Sequence, residues 1–302
     1  MNFSQPTVEA PSVKNNNASA AQISLPAPTK IEHNKITAPI PWPAYGSAAY
    51  GVHKDNLVAT SNEKPQQVPI ASLAKIITVL AILEKKPLEP GDQGPNISLN
   101  DLDVELVNEY ARKSGTYLPI YSGEEISQYE AIQAILLISA NNISDTLANW
   151  AFGSVDEYVV YANNMLKELG LEYTTVADAS GFSPNTISTA EDMVDLGYIY
   201  MQHPVLREVA LQQSANLPFI GYVNNNNSFA NIDNVIGIKI GNTDEAGKTY
   251  LAAHIIPPKD GVPEEVSVAV VLGAEDFYTA ARDAKLIISA GDKGHDEIPK
   301  LP

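Results

Sequence analysis

The sequence predicts an α/β (α+β) fold in which one sheet is built from both ends of the chain around a mainly helical middle section. Three observations carry this. Short strand patterns begin at Ala48, residues 98 to 214 hold several runs with helical spacing of apolar positions, and strand patterns return after residue 217. Composition sets the outer bounds: 302 residues, 44% apolar and 18% charged, suit a folded chain with a sizeable core. Nineteen Lys and Arg against 36 Asp and Glu leave a net charge of −17. Such a surface repels phosphate backbones, so no nucleic-acid partner is expected. The absence of cysteine removes thiol nucleophiles, disulfides, Fe–S clusters and thiolate zinc sites.

The elements follow in order. Residues 1–36, with four prolines before residue 30 and Phe3 as the one aromatic, read as a flexible linker. They lack the basic start and apolar stretch of a signal peptide, and no later run reaches the length of a membrane span. Any membrane anchor is therefore expected outside these residues. Residues 37–302 read as one domain, with an α-rich insertion at about 98–214. A Tyr50/Val52 stretch and Leu57 to Thr60, joined by Lys54-Asp55-Asn56, predict a hairpin. Beyond Pro69, Leu73, Ile76, Ile77 and Leu80 mark the buried face of a helix stopped near Pro87.

In the middle section Tyr129 to Ile138, Ser144 to Trp150 and Asp156 to Leu169 read as helices. Ser154 with Glu157 and Ser188 with Glu191 have capping-box spacing, and Gly170 ends the 156–169 helix. Asn224 to Asn227 reads as a polar loop. Strands are then expected at Ile236 to Ile240, Tyr250 to Ile255 and Val266 to Leu272, with a last helix from about Tyr278 to Ser289. There is no internal repeat.

Three short motifs could carry chemistry. Ser72 opens the apolar helix and Lys75 stands one turn on, on the same face, a workable nucleophile and base. Ser139-Ala140-Asn141 follows the apolar run Ala134 to Ile138, where a helix should end. Lys239-Ile240-Gly241 lies late in the chain on a strand, where Gly241 permits close approach of another backbone. Each alone is equally an ordinary cap, loop or edge lysine. Together, their order and elements match the Ser-x-x-Lys, Ser-x-Asn and Lys-Thr-Gly signature of serine acyl-transferring enzymes.

With these motifs the chain resembles the D-alanyl-D-alanine carboxypeptidase family of low-molecular-mass, serine-type penicillin-binding proteins. The resemblance runs from about Ala48 to Ile288. It includes Pro69-Ile70-Ala71-Ser72-Leu73, Leu137 to Ala148, Leu169-Gly170 with Thr174, and Ser180-Gly181-Phe182. Ser188-Thr189-Ala190-Glu191-Asp192-Met193, the stretch Gly241 to Gly247, Val271-Leu272-Gly273 and Arg282-Asp283-Ala284 complete it.

The resemblance implies a β-lactamase/transpeptidase-like fold, a five-stranded antiparallel sheet between helices with the cleft beside an α-rich lobe. It makes residues 37–302 a serine D,D-peptidase domain. The further β-rich domain of many family members is not expected within these residues. It implies attack by Ser72 on peptidoglycan stem peptides ending in D-Ala-D-Ala, with Lys75 as base and Ser139 as proton relay. Lys75 and Lys239 are expected to lower each other's pKa. Asn141 would hold the substrate amide, the Ser72 and Asn242 N–H groups would form the oxyanion hole, and Arg282 would take the terminal carboxylate. β-Lactam antibiotics would be covalent inhibitors, and the site of action would be extracytoplasmic, at the cell wall or the outer membrane face.

One departure stands out. The family has Thr or Ser where this chain has Ile240, so a hydroxyl for the substrate carboxylate is gone, and slow or altered selectivity is expected with Thr243 and Arg282 as compensating groups. Asn142, often Asp in the family, is a second change. A class A β-lactamase would need a Glu-x-x-Leu-Asn element, absent from the Leu169 to Asp178 region. A non-catalytic peptidoglycan-binding homologue and an esterase are the other readings. His33, His53, His203, His254 and His295 are scattered, without metal-ligand spacing, and no phosphate loop occurs, so no metal or cofactor is expected.

Overall fold

The computed structural model describes residues 39–52, 57–227, 235–258 and 263–296. The expected linker, the Lys54-Asp55-Asn56 turn, His33 and His53 lie outside the described residues.

Among the described residues the first elements are β1 (Ser47–Val52) and β2 (Leu57–Thr60), followed by β3 (Val68–Pro69), a 3-10 turn over Ala71–Leu73 and α1 (Ala74–Lys85). The middle carries β4 (Asn96–Ser98), α2 (Asp101–Arg112), β5 (Glu125–Ser127), α3 (Gln128–Leu137), α4 (Asn141–Phe152), α5 (Val155–Glu168), β6 (Ile187–Ser188), α6 (Ala190–Gln202) and α7 (Pro204–Leu211). A small hairpin, β7 (Ser214–Leu217) with β8 (Gly221–Asn224), leads to β9 (Val235–Thr243), β10 (Gly247–Ile256), β11 (Glu265–Ala274) and α8 (Phe277–Asp296).

The main sheet has the order β2-β1-β11-β10-β9 and is antiparallel throughout, so both chain ends contribute, as the sequence led us to expect. Alternation along the strands divides its two faces. Leu251, Ala253, Val268, Val270 and Leu272 join the large core with α1, α3, α4 and α6. Tyr50, Tyr250, Ala252, Ala269 and Val271 pack under Ala280, Ala284, Ile287 and Ile288 of α8. Burial on both faces explains why these strands are nearly unbroken apolar runs.

α1 is buried over ten successive residues, Ala74 to Leu83, more than an amphipathic stripe requires, because α3, α4, α5 and α6 surround it. Ser154 caps α5 by accepting from the Glu157 N–H. The expected cap at Ser188 is displaced by one residue: Thr189 accepts from Asp192 N, and the Ser188 hydroxyl instead meets Thr174. Two complete capping boxes escaped the sequence reading, Asn100 with Asp103 on α2 and Ser127 with Glu130 on α3.

Candidate active site

The turn before α1 is set by backbone geometry. Ala71 has φ +48°, a left-handed conformation that alanine rarely adopts, and Ser72 follows it at the mouth of the helix. Two glycines make room for this turn. A Cβ on Gly181 (φ +73°) would lie 1.9 Å from the Ala71 carbonyl oxygen, and one on Gly241 would lie 2.8 Å from the Ser72 nitrogen. The Ser180-Gly181 loop and β9 therefore close on the nucleophile turn from two sides.

Helical spacing brings Lys75 back over Ser72, with Nζ 2.9 Å from Ser72 Oγ. The same nitrogen lies 2.6 Å from Asn141 Oδ1 and 2.7 Å from the Ser180 carbonyl. A neutral amine has two N–H donors and one lone pair. Donation to Asn141 and Ser180 leaves the lone pair for the Ser72 hydroxyl, which is the arrangement a general base needs. Burial pushes Lys75 down to about 7, against the opposing pull of Asp178 and Asp145. The sequence reading assigned part of this shift to Lys239. In the structure burial is the leading cause and the Asp178 and Asp145 carboxylates oppose it, while the expected repulsion between the two lysines is present and acts on Lys239.

Lys239 is fully buried on β9 and donates to the carbonyl of Ile240 at 3.0 Å. Burial, then the Lys75 charge, pushes it well below the usual lysine range. A bulge precedes it: Leu251 pairs with Lys239 and Ala252 with Gly237, leaving Ile238 as the extra residue. Ile240 points to the opposite face, half-buried against the cluster under α8. Gly241 faces Ser72, as noted. Beyond it, the exposed Asn242 side chain accepts from Lys248, and Thr243 Oγ1 accepts from Ala246 N across the β9–β10 turn. Asn242 and Thr243 line a cleft of about 740 Å³ together with Tyr110, Phe182 and Ser183.

Ser139 has φ +64° and connects α3 to α4, which makes Asn141 the first residue of α4 and aims its amide at Lys75. Among the described residues the Ser139 hydroxyl has no hydrogen-bond partner, and Lys75 is bonded to Asn141 rather than to Ser139. Arg282, on α8, is half-exposed and chelated by its neighbour Asp283 through Nε at 2.8 Å and Nη2 at 2.7 Å. The other Asp283 oxygen accepts from Tyr45 at 2.7 Å. Both groups expected to compensate for Ile240 thus already have partners.

Sequence reasoning missed several supports. Asn142 uses both ends of its amide on the Leu118 backbone, accepting at 2.9 Å and donating at 3.0 Å, a pairing an ionised Asp could not complete. Asp178 accepts from Ser180 Oγ, from the Phe182 and Ser183 N–H groups and from Thr186 Oγ1, fixing the loop whose carbonyl meets Lys75. The polar 224–227 run is also a structural brace, with Asn224 and Asn226 exposed and Asn225 and Asn227 buried. Asn227, 1% exposed, accepts from Ile240 N at 2.9 Å and donates to Leu136 O at 2.9 Å, tying β9 to α3 just before Ser139. Asn227→Ala would strand two buried backbone groups, and a loss of about 2–4 kcal/mol is expected in chemical denaturation.

Comparison with known proteins gives the same answer as the geometry. A family model described as D-alanyl-D-alanine carboxypeptidase matches residues 53–275. The D-alanyl-D-alanine endopeptidase of Pseudomonas aeruginosa is 25% identical over 243 residues, covering 80% of this chain and 75% of its own. The carboxypeptidase DacF of Bacillus subtilis is 29% identical over 211 residues, 68% of this chain and 51% of its own. Penicillin-binding protein 6B of Escherichia coli superposes with a TM-score of 0.75 at 20% identity, covering 86% of this chain and 81% of that one, and so shares the fold. The chain belongs to the D-alanyl-D-alanine carboxypeptidase family of serine peptidases, hydrolases that act on peptidoglycan and bind penicillin.

Proposed function

We propose that this protein is a catalytically active serine D-Ala-D-Ala peptidase working through a Ser72 acyl-enzyme. The observation that carries the reading is the buried Lys75 amine, 2.9 Å from Ser72 Oγ with its other two bonds accounted for. Near neutral pH the amine takes the Ser72 proton as Oγ attacks the carbonyl of the penultimate D-Ala. The oxyanion forms between the N–H groups of Ser72 and Asn242, each donor contributing about 3–4 kcal/mol to the transition state. Ser139 returns the proton to the departing amine, and Asn141, Lys239 and Arg282 orient the peptide. Water then hydrolyses the ester. The substrate places this action outside the cytoplasmic membrane, and no helix among the described residues is long and apolar enough to cross one.

Release of free D-Ala from a peptide ending in D-Ala-D-Ala, with benzylpenicillin forming a lasting adduct detected by intact mass, tests the proposal. No release and no adduct would leave a binding protein. Fast penicillin turnover would indicate a β-lactamase, although the only glutamate between Leu169 and Asp178, Glu172, is exposed.

Ile240 gives this site its own signature. Although Ile240 lies on the face of β9 away from Lys239, β9 is the edge strand, and a threonine hydroxyl turned to that open edge would reach the carboxylate. Ile240→Thr is therefore expected to raise kcat/KM on a free-carboxylate peptide roughly ten- to hundredfold, the worth of one hydrogen bond to a charged group. The gain should vanish on the same peptide with its C-terminus amidated. Equal gains on both substrates would show that residue 240 does not read the carboxylate.

A further inference from the structure

The catalytic steps above make no use of Asp145, a buried carboxylate that acts on Lys75. Asp145 lies one turn beyond Asn141 on α4, at the i+4 position that shares its face. It is 7% exposed. Its Oδ2 accepts from Tyr110 at 2.7 Å, while Oδ1 is buried with no partner among the described residues. Tyr110 Oη also lies 3.1 Å from the hydroxyl of Ser180, the residue whose carbonyl binds Lys75. A half-satisfied carboxylate in a core is costly unless a nearby charge compensates for it. The charged and titratable groups around Lys75 are Lys239 from β9, Asp178 from the Ser180 loop and Asp145 from α4, with Tyr110 and Glu109 of α2 beyond Asp145. Asp178 is saturated by four donors that fix its loop. That leaves Asp145 as the carboxylate with an open oxygen.

We propose that Asp145 is a positioning residue of the acylation site, a countercharge that acts beside Asp178 to favour a proton on Lys75 and so helps to set the pH below which Ser72 stops reacting. This rests on the reading of Lys75 as the base. Burial raises Asp145 to about 7, so its charge changes over the same range as that of Lys75. The sign is determined. A negative Asp145 favours the ammonium form of Lys75, and removing that charge lets the amine form persist to lower pH.

The test is the rate of benzylpenicillin acylation between pH 5 and 9, followed by quenched mass spectrometry. In Asp145→Asn, which keeps the shape and can still accept from Tyr110, the acid limb is expected to move down by roughly half a unit to one unit. The alkaline plateau should stay within about tenfold of wild type. Should that variant fail to fold, Tyr110→Phe serves. It removes the donor that stabilises ionised Asp145, so the limb should move the same way by a smaller amount. An unmoved limb in a folded variant, or a lowered plateau with no displacement, overturns the assignment and leaves Asp145 as packing only. A wild-type protein that forms no adduct at any pH would overturn the peptidase reading along with it.

Discussion

The Ser72→Ala variant is expected to form no covalent adduct with benzylpenicillin and to release D-Ala at no more than background rate, while melting within a few degrees of wild type. The expectation is absolute because Oγ is the only atom of the residue that makes the acyl bond. Ser72 is half-buried and its hydroxyl contributes one hydrogen bond, to Lys75, which keeps two other partners when that bond is lost. Stability should therefore change by only about 1 kcal/mol. Any release through the remaining donors and binding groups would fall several orders of magnitude short of wild type, within the background of the assay. An adduct of unchanged mass and yield in Ser72→Ala would place the nucleophile elsewhere and remove the basis for every assignment made around Lys75.

Gly181→Ala is the second large effect, and it acts without touching a reacting atom. The residue sits at φ +73°, and its added methyl would meet the Ala71 carbonyl oxygen at 1.9 Å, the carbon of that carbonyl at 2.6 Å and Ala74 Cβ at 2.8 Å. Two of these three atoms are backbone of the nucleophile turn, so relief requires the turn or the loop to move. A shift of even an ångström at Ser72 costs about a hundredfold in rate. The clash and the left-handed strain together should cost about 2–4 kcal/mol in folding. Acylation rate and melting temperature are expected to fall together. A stable variant with wild-type acylation would show that this loop yields freely, contrary to the four bonds that Asp178 provides to hold it.

Much of this architecture was legible in the sequence because it depends on local periodicity. The 3.6-residue spacing of α1 and the apolar runs of β10 and β11 announce themselves, and Ser72 and Lys75 meet because they are three apart across the 3-10 turn that leads into α1. α2 was missed as a helix because it lies half in solvent and buries only Asp103 and Tyr110 fully. The Asn224 to Asn227 run reads correctly as polar and, from Asn225 on, as a loop, but its bracing role is not legible, for a physical reason. Asparagine favours turns, and nothing local distinguishes an amide that faces water from one that completes the hydrogen bonds of two distant backbones. Tyr110, Asp145 and Ser180 come together from α2, α4 and a loop, so no spacing rule could bring them to Lys75. The bulge at Ile238, which sets the facing of Lys239 and Ile240, exists only as a mismatch between two paired strands.

The strand order of the main sheet has a consequence for how the molecule comes into being. β1 lies between β2 and β11, so Ala49, near the beginning of the described chain, is in register with Val270, near its end. Such pairing has high contact order and must close a very long loop before any of its hydrogen bonds form. The helices of the middle section can condense early on local contacts, and Ser72, Lys75 and Asn141 travel with them. Lys239 and Gly241 arrive only with the last three strands. The chain is thus expected to complete its reactive cleft late in folding, when β9 pairs, and penicillin acylation followed during refolding should lag behind the return of helical signal.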